Sequence, residues 1–299
     1  MRNIRHAKNS SQTQPFLLFL LVISAAFLPA LKHAQAEDSA ETLAWLKRTE
    51  FSVQVESDQK PRIFLQTVQP LYQDADKVNT FFIQPRASVQ SANGTYNLGL
   101  GYRRLSSENL ILGTNFFFDF EGQHRHGRVG VGAEALGQIF EARVNSYFGN
   151  ITNKVEVASV GGGVVIEKVS DGADFELGMP LPYMPWLKMY GSGSWYDQNK
   201  SPDRFGWKSR LEAKLNDHVR FEFYTWDDNK GDTEYGGRLR FNITFGNPFE
   251  VTRAFQLSDE PFPKKDLSQE VLIPVEREFD ITVEKYTETG GLTVEAGRS

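Results

Sequence analysis

Residues 97–121, NLGLGYRRLSSENLILGTNFFFDFE, place two kinds of side chain on alternate positions. From Leu112 to Phe120 every second residue is Leu, Thr or Phe, and the residues between them are Gly, Asn, Phe and Asp. Successive side chains of a β-strand point to opposite faces, so a period of two predicts strands with unlike faces. The turn-forming run from Ser106 to Asn109 divides the stretch. The stretch therefore predicts a β-hairpin with one apolar face.

The same two-face pattern extends along most of the chain. It predicts twelve strands, an even number that suits an antiparallel bacterial barrel. Most of them exceed the roughly 5–6 residues usual in soluble sheets and match the about 9–11 residues that a tilted membrane strand needs. The predicted strands are 61–72, 79–90, 95–105, 110–121, 127–137, 139–148, 156–169, 173–182, 187–197, 204–215, 219–228 and 233–245.

Charged residues occupy one face of these strands and are almost absent from the other. A soluble sandwich would turn the charges to solvent, whereas a membrane barrel would turn them to a wet interior and its apolar face to lipid. Alternation alone does not separate the two, but strand length and strand number favour the membrane. We therefore predict an all-β fold, a twelve-stranded antiparallel transmembrane β-barrel of outer-membrane type, over residues 61–245. Its predicted interior residues are Arg103, Asp119, Glu134, Arg143, Glu176, Arg210, Glu212, Arg238 and Arg240.

The N-terminus has the layout of a secretory signal peptide. Arg2 and Arg5 precede an apolar run over residues 16–31, and an Ala-Gln-Ala cleavage site ends at Ala36. The alternative is a membrane anchor, but the run is shorter than the ~20 residues that a helical span needs. We predict a signal peptide over residues 1–36, cleavage near Ala36, and delivery of the mature chain to the cell outer membrane.

Two segments flank the predicted barrel. Residues 37–60 are predicted to form a periplasmic N-terminal segment. Residues 246–299 form a C-terminal tail that is rich in proline and charge. Because this tail does not continue the pattern of the barrel strands, we predict that it adds no further pair of membrane strands.

Composition excludes several classes of function. The chain has no Cys, so it can form neither a disulfide framework nor a thiolate metal site. Its net charge of -5 argues against a nucleic-acid partner. The 23 Phe and 25 Gly suit a barrel in which one residue in two faces lipid. No cofactor is predicted.

Three groups of residues could carry chemistry, and we interpret each as part of a solvated turn. His124 and His126 have no evident further ligands, and the acidic run from Asp227 to Asp232 lacks the spacing and closing Glu of an EF-hand loop. A hydrolase triad would need Ser and His near a carboxylate, but His124, His126 and His218 all fall in turns that we assign to the periplasmic side. We predict no catalytic residue and no metal ligand, and we expect that the chain is not an enzyme.

Three segments of the predicted barrel resemble a known family. They are Asn97-Leu-Gly-Leu-Gly-Tyr-Arg103, Leu112-Gly-Thr-Asn-Phe-Phe-Phe-Asp119 and Gly130-Val-Gly-Ala-Glu-Ala135. In this order they resemble the β-domain of the inverse autotransporters, the intimin and invasin family. The resemblance covers roughly residues 42–286, and it is specific because Gly, Asn, Asp and Glu must all fall on the interior side in register.

The resemblance implies a direction of threading. In the family, twelve strands return the chain to the periplasm, and a linker then runs out through the interior to surface passenger domains that act as adhesins. By resemblance, residues 271–286 are this linker, and about ten extended residues suffice to span 30 Å. Its candidate partners for the wall are Glu276, Arg277, Glu278 and Asp280. The implied partners of the protein are outer-membrane lipid, the barrel-assembly machinery and periplasmic chaperones, with no identified host or cell-surface ligand.

The sequence departs from the family pattern on both sides of the barrel. We expect no immunoglobulin-like domain of about 100 residues in the tail and no peptidoglycan-binding module before the barrel. The adhesin role is therefore not carried over, and the expected role is an anchor that exports or displays its own C-terminal segment. Two alternatives stay open, namely a small passive pore and an outer-membrane barrel enzyme.

Overall fold

The computed structural model describes residues 45–91, 93–149, 151, 155–160, 163–216, 218–242, 255–289 and 292–295. The predicted signal peptide and the last residues of the predicted final strand, 243–245, lie outside these ranges. Within them, no helix has the length and apolar character that a membrane span would require.

Nearly all regular structure in these ranges is β-strand. The strands are β1 (Thr49–Glu56), β2 (Arg62–Thr67), β3 (Gln69–Gln73), β4 (Asn79–Gln90), β5 (Asn93–Ser107), β6 (Leu110–Glu121), β7 (Gly127–Gly137), β8 (Glu141–Phe148), β9 (Val155–Val160), β10 (Gly163–Val169), β11 (Gly172–Leu181), β12 (Met184–Tyr196), β13 (Arg204–Lys214), β14 (Val219–Asp228), β15 (Glu234–Asn242), β16 (Val283–Thr289) and β17 (Leu292–Glu295). A single 3-10 turn covers Leu267–Gln269.

Twelve of these strands close into an antiparallel barrel. Its order is β1, β2, β4 to β8 and β11 to β15, with β15 paired back to β1. Strand β2 pairs with β1 on one side and with β4 on the other, so the ring has no gap. Strand β3 continues β2 along β4 after an interruption at Val68. The predicted fold class is confirmed.

The membership of the ring differs from the prediction at two places. Strand β1, which we assigned to a periplasmic segment, belongs to the barrel and pairs residue by residue with β15, so the predicted start at residue 61 is wrong by one strand. The predicted barrel strand 156–169 is also wrong, because it is divided into β9 and β10, and β8 pairs directly with β11 instead. Three consecutive glycines, 161–163, lie where this strand is divided, and glycine weakens a strand interior. The ring gains β1 and loses the predicted strand 156–169, so the number of barrel strands is still twelve.

Strand β6 illustrates how the barrel wall separates its two faces. The side chains of Phe116 and Phe118 face outward and are 47% and 44% exposed, whereas Phe117 and Asp119 face inward and are 0% exposed. An apolar surface that remains exposed around a closed ring is what a lipid-facing band requires. The outer surface therefore suits contact with lipid tails, and the inner surface carries the polar groups.

The connections between strands differ at the two ends of the barrel. At one end, here called the turn end, lie the β3–β4, β5–β6, β7–β8, β11–β12 and β13–β14 connections. At the other, here called the loop end, lie the β1–β2, β4–β5, β6–β7, β8–β11, β12–β13 and β14–β15 connections, of which the β8–β11 connection contains β9 and β10. Outer-membrane barrels have short periplasmic turns and longer extracellular loops. The loop end is thus the end that suits the cell exterior.

A charge on the outer face provides a direct test of lipid contact. We expect Phe116→Arg to lower the free energy of unfolding of the barrel in phospholipid vesicles by about 2–4 kcal/mol, because a guanidinium near the bilayer midplane loses its hydration. Urea titration of the refolded protein measures the change. Ala75→Arg, in the exposed β3–β4 turn, is the matched control and should shift the midpoint little. Equal effects of the two substitutions would contradict the assigned lipid face.

Candidate functional site

The barrel interior holds the nine residues that the sequence analysis placed there. Seven are buried, and Glu176 and Arg238 are partly buried. Their charges pair between strands of the wall, as shown by Arg103 Nε on β5, which lies 2.6 Å from Glu134 Oε1 on β7. Arg143 lies 3.1 Å and Arg210 3.0 Å from the same oxygen, Glu176 Oε1. Buried charges persist only when they are paired in this way.

The C-terminal segment enters the barrel at the turn end. The backbone N–H of Tyr183, in the β11–β12 turn, donates to the Pro261 carbonyl at 2.8 Å. Gln138, in the β7–β8 turn, donates to the Lys265 carbonyl at 3.0 Å and accepts from the Lys265 N–H at 2.9 Å. These contacts fix the position of the segment just before it passes between the walls.

Residues 267–282, here called the luminal segment, run through the interior from the turn end to the loop end. Its apolar side chains fill the space in two clusters. Leu267 and Val271 pack against Ile111 and Leu136 nearer the turn end. Val275 then packs with Val68, Phe82 and Phe117. A twelve-stranded barrel is wider than the eight-stranded size that wall side chains alone can fill, and here the luminal segment occupies the remaining space.

Side chains of the wall bind the backbone of the luminal segment. Arg103 donates to the carbonyls of Val271 and Ile273, at 3.1 and 2.5 Å. Gln84 accepts from the Val275 N–H at 2.8 Å and donates to its carbonyl at 3.4 Å. Further on, Arg128 donates to the Glu278 carbonyl at 2.7 Å and Asn97 donates to the Phe279 carbonyl at 2.9 Å. An extended chain inside a barrel has no neighbouring strand, so these side chains satisfy backbone groups that would otherwise be buried unpaired.

Three side chains of the luminal segment form ion pairs with the wall. Glu276 accepts two hydrogen bonds from Arg240, at 2.6 and 3.2 Å. Arg277 donates to both oxygens of Asp119, each at 3.0 Å. Asp280 pairs with Arg62.

Glu278, the fourth candidate of the linker, meets the wall through its backbone. Its N–H donates to the Tyr147 hydroxyl at 2.9 Å, while its side chain accepts from the Asp280 N–H at 3.1 Å. The sequence did not indicate Arg62, Tyr147 or Gln84 as partners of the segment. Each lies on a strand that meets the segment only after the barrel has closed.

Glycine on the inner wall makes room for two of these contacts. A Cβ at Gly130 would lie 2.4 Å from Arg277 Nη2, and a Cβ at Gly99 would lie 2.3 Å from the Phe117 ring. The Arg277 guanidinium lies 4.5 Å from the centre of the Phe117 ring. A larger residue at Gly130 would therefore meet the segment directly, and one at Gly99 would meet the ring beside which Arg277 lies.

At the loop end the segment leaves the barrel and becomes part of a second sheet. The Ser170 N–H donates to the Thr282 carbonyl at 3.0 Å. Strand β16 then pairs with β10, giving a sheet in the order β17, β16, β10, β9. Glu284 accepts the backbone N–H groups of Asn199, Lys200 and Ser201, at 3.0, 2.6 and 3.1 Å. Three N–H groups that converge on one carboxylate fasten the β12–β13 loop to the outgoing chain.

A histidine and carboxylate cluster lies beside this exit. Glu167, on β10, places Oε2 2.8 Å from His124 Nδ1 and 2.9 Å from His126 Nε2, and its Oε1 lies 3.1 Å from Lys285 Nζ. Burial alone would raise the pKa of Glu167, but hydrogen bonds from His126 and Lys285, with a further contribution from His124, lower it to about 2. The carboxylate is therefore ionised at neutral pH. One ligand atom from each of Glu121, His124 and His126 lies within 4.8 Å of the others.

The structure corrects the placement of the histidines. His124 and His126 lie in the β6–β7 connection at the loop end, whereas His218 lies in the β13–β14 turn at the opposite end. The assignment of all three to the periplasmic side is therefore wrong for His124 and His126. The barrel does not bring the three together.

The acidic run of the β14–β15 hairpin is held by contacts within the hairpin and with β13. Arg204 lies 2.6 Å from an Asp228 oxygen, and Thr233 donates to Asp227 at 2.6 Å. Thr233 uses one of these oxygens within the hairpin, and Arg204 of the neighbouring strand β13 uses the other.

Comparison with known proteins gives a match to one protein family and to several solved structures. A family model described as "Inverse autotransporter, beta-domain" matches residues 24–278. No curated relative matches the chain. A chain solved in a study of the in-meso crystallization of membrane proteins is 19% identical, with a TM-score of 0.63 over 79% of this chain and 99% of that chain. This likeness shows a common fold.

Two further solved structures match with lower scores. The KdgM porin is 7% identical, with a TM-score of 0.45 over 65% of this chain and 98% of the porin. Outer membrane phospholipase A from Escherichia coli is 11% identical, with a TM-score of 0.43 over 68% of this chain and 97% of the phospholipase.

Proposed function

Because the chain belongs to the inverse autotransporter β-domain family, we propose that its barrel carries the C-terminal part of the chain across the membrane and displays the residues beyond it on the cell surface. The protein is an outer-membrane β-barrel translocator, and it resides in the cell outer membrane. The family is not known for an enzymatic activity.

One observation supports display more than any other, namely the continuous path of the luminal segment. It runs from contacts at the turn end, through three ion pairs with the wall, to strand pairing at the loop end. A chain that merely blocked the interior would not need to leave it at the far end and join a second sheet there. Adhesion, in this proposal, belongs to the displayed part and not to the barrel.

Single-cysteine labelling tests the proposed display, since the chain has no Cys of its own. Thr289 is exposed at the outer end of β16, and Asp76 is exposed in the β3–β4 turn at the turn end. We expect a membrane-impermeant maleimide to label the Thr289→Cys variant on intact cells. The Asp76→Cys variant should react only after the outer membrane has been permeabilised.

Both variants should react fully in detergent-solubilised membranes, which controls for folding and for thiol reactivity. Labelling of Asp76→Cys but not Thr289→Cys on intact cells would show the opposite orientation. Protection of both until permeabilisation would refute display of the C-terminal segment.

A further inference from the structure

The cluster at the loop end has the composition of a metal site. Glu121 closes β6, and His124 and His126 follow in the β6–β7 connection, so one short hairpin supplies three ligand-type side chains. Glu121 is 8% exposed and His126 is 3% exposed. The side chain of His124 is 30% exposed, which leaves a path from solvent to the cluster.

Glu167 already acts on the two rings as a metal site would require. Histidines that bind a metal usually donate their other ring N–H to a carboxylate, which fixes the tautomer and the ring orientation. Here one carboxylate oxygen, Glu167 Oε2, contacts His124 at Nδ1 and His126 at Nε2. The second nitrogen of His126, Nδ1, is therefore the one that remains for a ligand, while that of His124, Nε2, lies 3.3 Å from Gln123 Nε2.

His126 provides a second observation that points to a ligand. Its Nδ1 atom is buried and has no hydrogen-bond partner among the residues that the structure describes. With its proton on Nε2 and donated to Glu167, the ring presents a lone pair at Nδ1. A buried lone pair without a donor is poorly used by the protein alone, and a cation would complete it.

We propose that Glu121, His124 and His126 bind one divalent transition-metal ion, of the zinc class, at the loop end of the barrel. Two imidazoles with a carboxylate suit Zn²⁺ and its neighbours, whereas Ca²⁺ and Mg²⁺ prefer oxygen ligands. The ligand atoms, within 4.8 Å of one another, must draw together to about 3.3–3.5 Å for bonds near 2.0–2.1 Å. The more exposed His124 ring can supply this movement.

The ion would connect the barrel rim to the displayed chain. Glu167 lies on β10, and its second oxygen pairs with Lys285 on β16 at 3.1 Å. An occupied site fixes both rings, the rings fix Glu167, and Glu167 holds the strand on which the outgoing chain is paired. Metal binding would thus fasten the second sheet to the β6–β7 hairpin.

Calorimetric titration of the full-length protein in detergent micelles with ZnCl₂ tests the proposal. We expect one equivalent of Zn²⁺ to bind, reversibly on addition of a chelator. His126→Ala and Glu121→Gln should abolish this binding, and Glu167→Gln should weaken it by about 10–100-fold. His218→Ala, at the opposite end, should bind as the unmodified protein does.

Folding of each variant is checked by the heat-dependent gel mobility of the barrel. If His126→Ala does not fold, Glu121→Gln and His124→Ala decide the question, since both remove a ligand from the same hairpin. The absence of saturable Zn²⁺ binding, or binding that all three hairpin substitutions leave unchanged, would overturn the proposal. Binding of Ca²⁺ with equal affinity would also overturn it, because it would not require imidazole.

Discussion

Asn in place of Asp119 should lower the free energy of unfolding of the barrel by about 3–5 kcal/mol, the usual cost of breaking a buried ion pair on one side. Asp119 is the centre of the interior network. It lies 2.9 Å from Arg128 and 3.0 Å from Arg277, and it accepts from Asn97 at 2.9 Å. Arg128 and Arg277 are almost completely buried, so both would lose their counter-charge without gaining water.

Urea titration in detergent micelles measures this change. Asp76→Asn, in the exposed β3–β4 turn, is the matched control and should alter stability by less than about 0.5 kcal/mol. The double variant Asp119→Asn with Arg277→Gln should be less destabilised than the sum of the two single variants. The reason is that Arg277→Gln removes the guanidinium that Asp119→Asn alone leaves without a counter-charge. A loss under about 1 kcal/mol for Asp119→Asn would mean that the interior is hydrated and that its ion pairs contribute little.

Removal of the luminal segment should convert a barrel with a filled interior into one that conducts ions. A chain that ends at Lys264 retains all twelve barrel strands but lacks the apolar clusters around Val271 and Val275. The charged inner wall would then surround water, as in porins. We expect discrete conductance steps in planar lipid bilayers from the shortened chain and none from the full-length protein.

A second variant keeps the experiment decisive if the shortened chain folds poorly. Glu276→Gln, Arg277→Gln and Asp280→Asn together remove the three ion pairs between the segment and the wall, while every residue position is retained. This variant should conduct intermittently, because the segment is present but less firmly held. Full-length protein that conducts as strongly as the shortened chain would favour the passive-pore alternative.

The barrel itself could be predicted because its main signal is local. Alternation of side chains along a single strand, as in β6, is a property of neighbouring residues, and strand length is read from the same pattern. The error at β1 has a different origin. Phe51, Val53 and Val55 alternate as in any barrel strand, but the assignment depends on pairing with β15, the last barrel strand along the chain. Local pattern carries no information about that partner.

The same limit applies to the interior site. Alternation placed the charged residues of the wall, and the family resemblance indicated the linker. Neither could say that Arg277 meets Asp119 or that Gln84 meets Val275, since such pairs depend on how far the segment has advanced along the barrel axis. The cluster at the loop end was missed for a related reason. The alternation pattern assigns Glu167 to a membrane strand and so gives no sign that it lies beside His124 and His126.

The pairing of β16 with β10 determines how the protein responds to external force. A pull on the displayed end first peels β17, whose only described neighbour is β16. The force then acts at the far end of β16, near Glu288, while β10 is held where it returns to the barrel at Val169. Opposed forces at opposite ends of an antiparallel pair shear it, so all its hydrogen bonds resist together and not one after another. Small tensions outside the cell would therefore be absorbed before they reach the ion pairs inside the membrane.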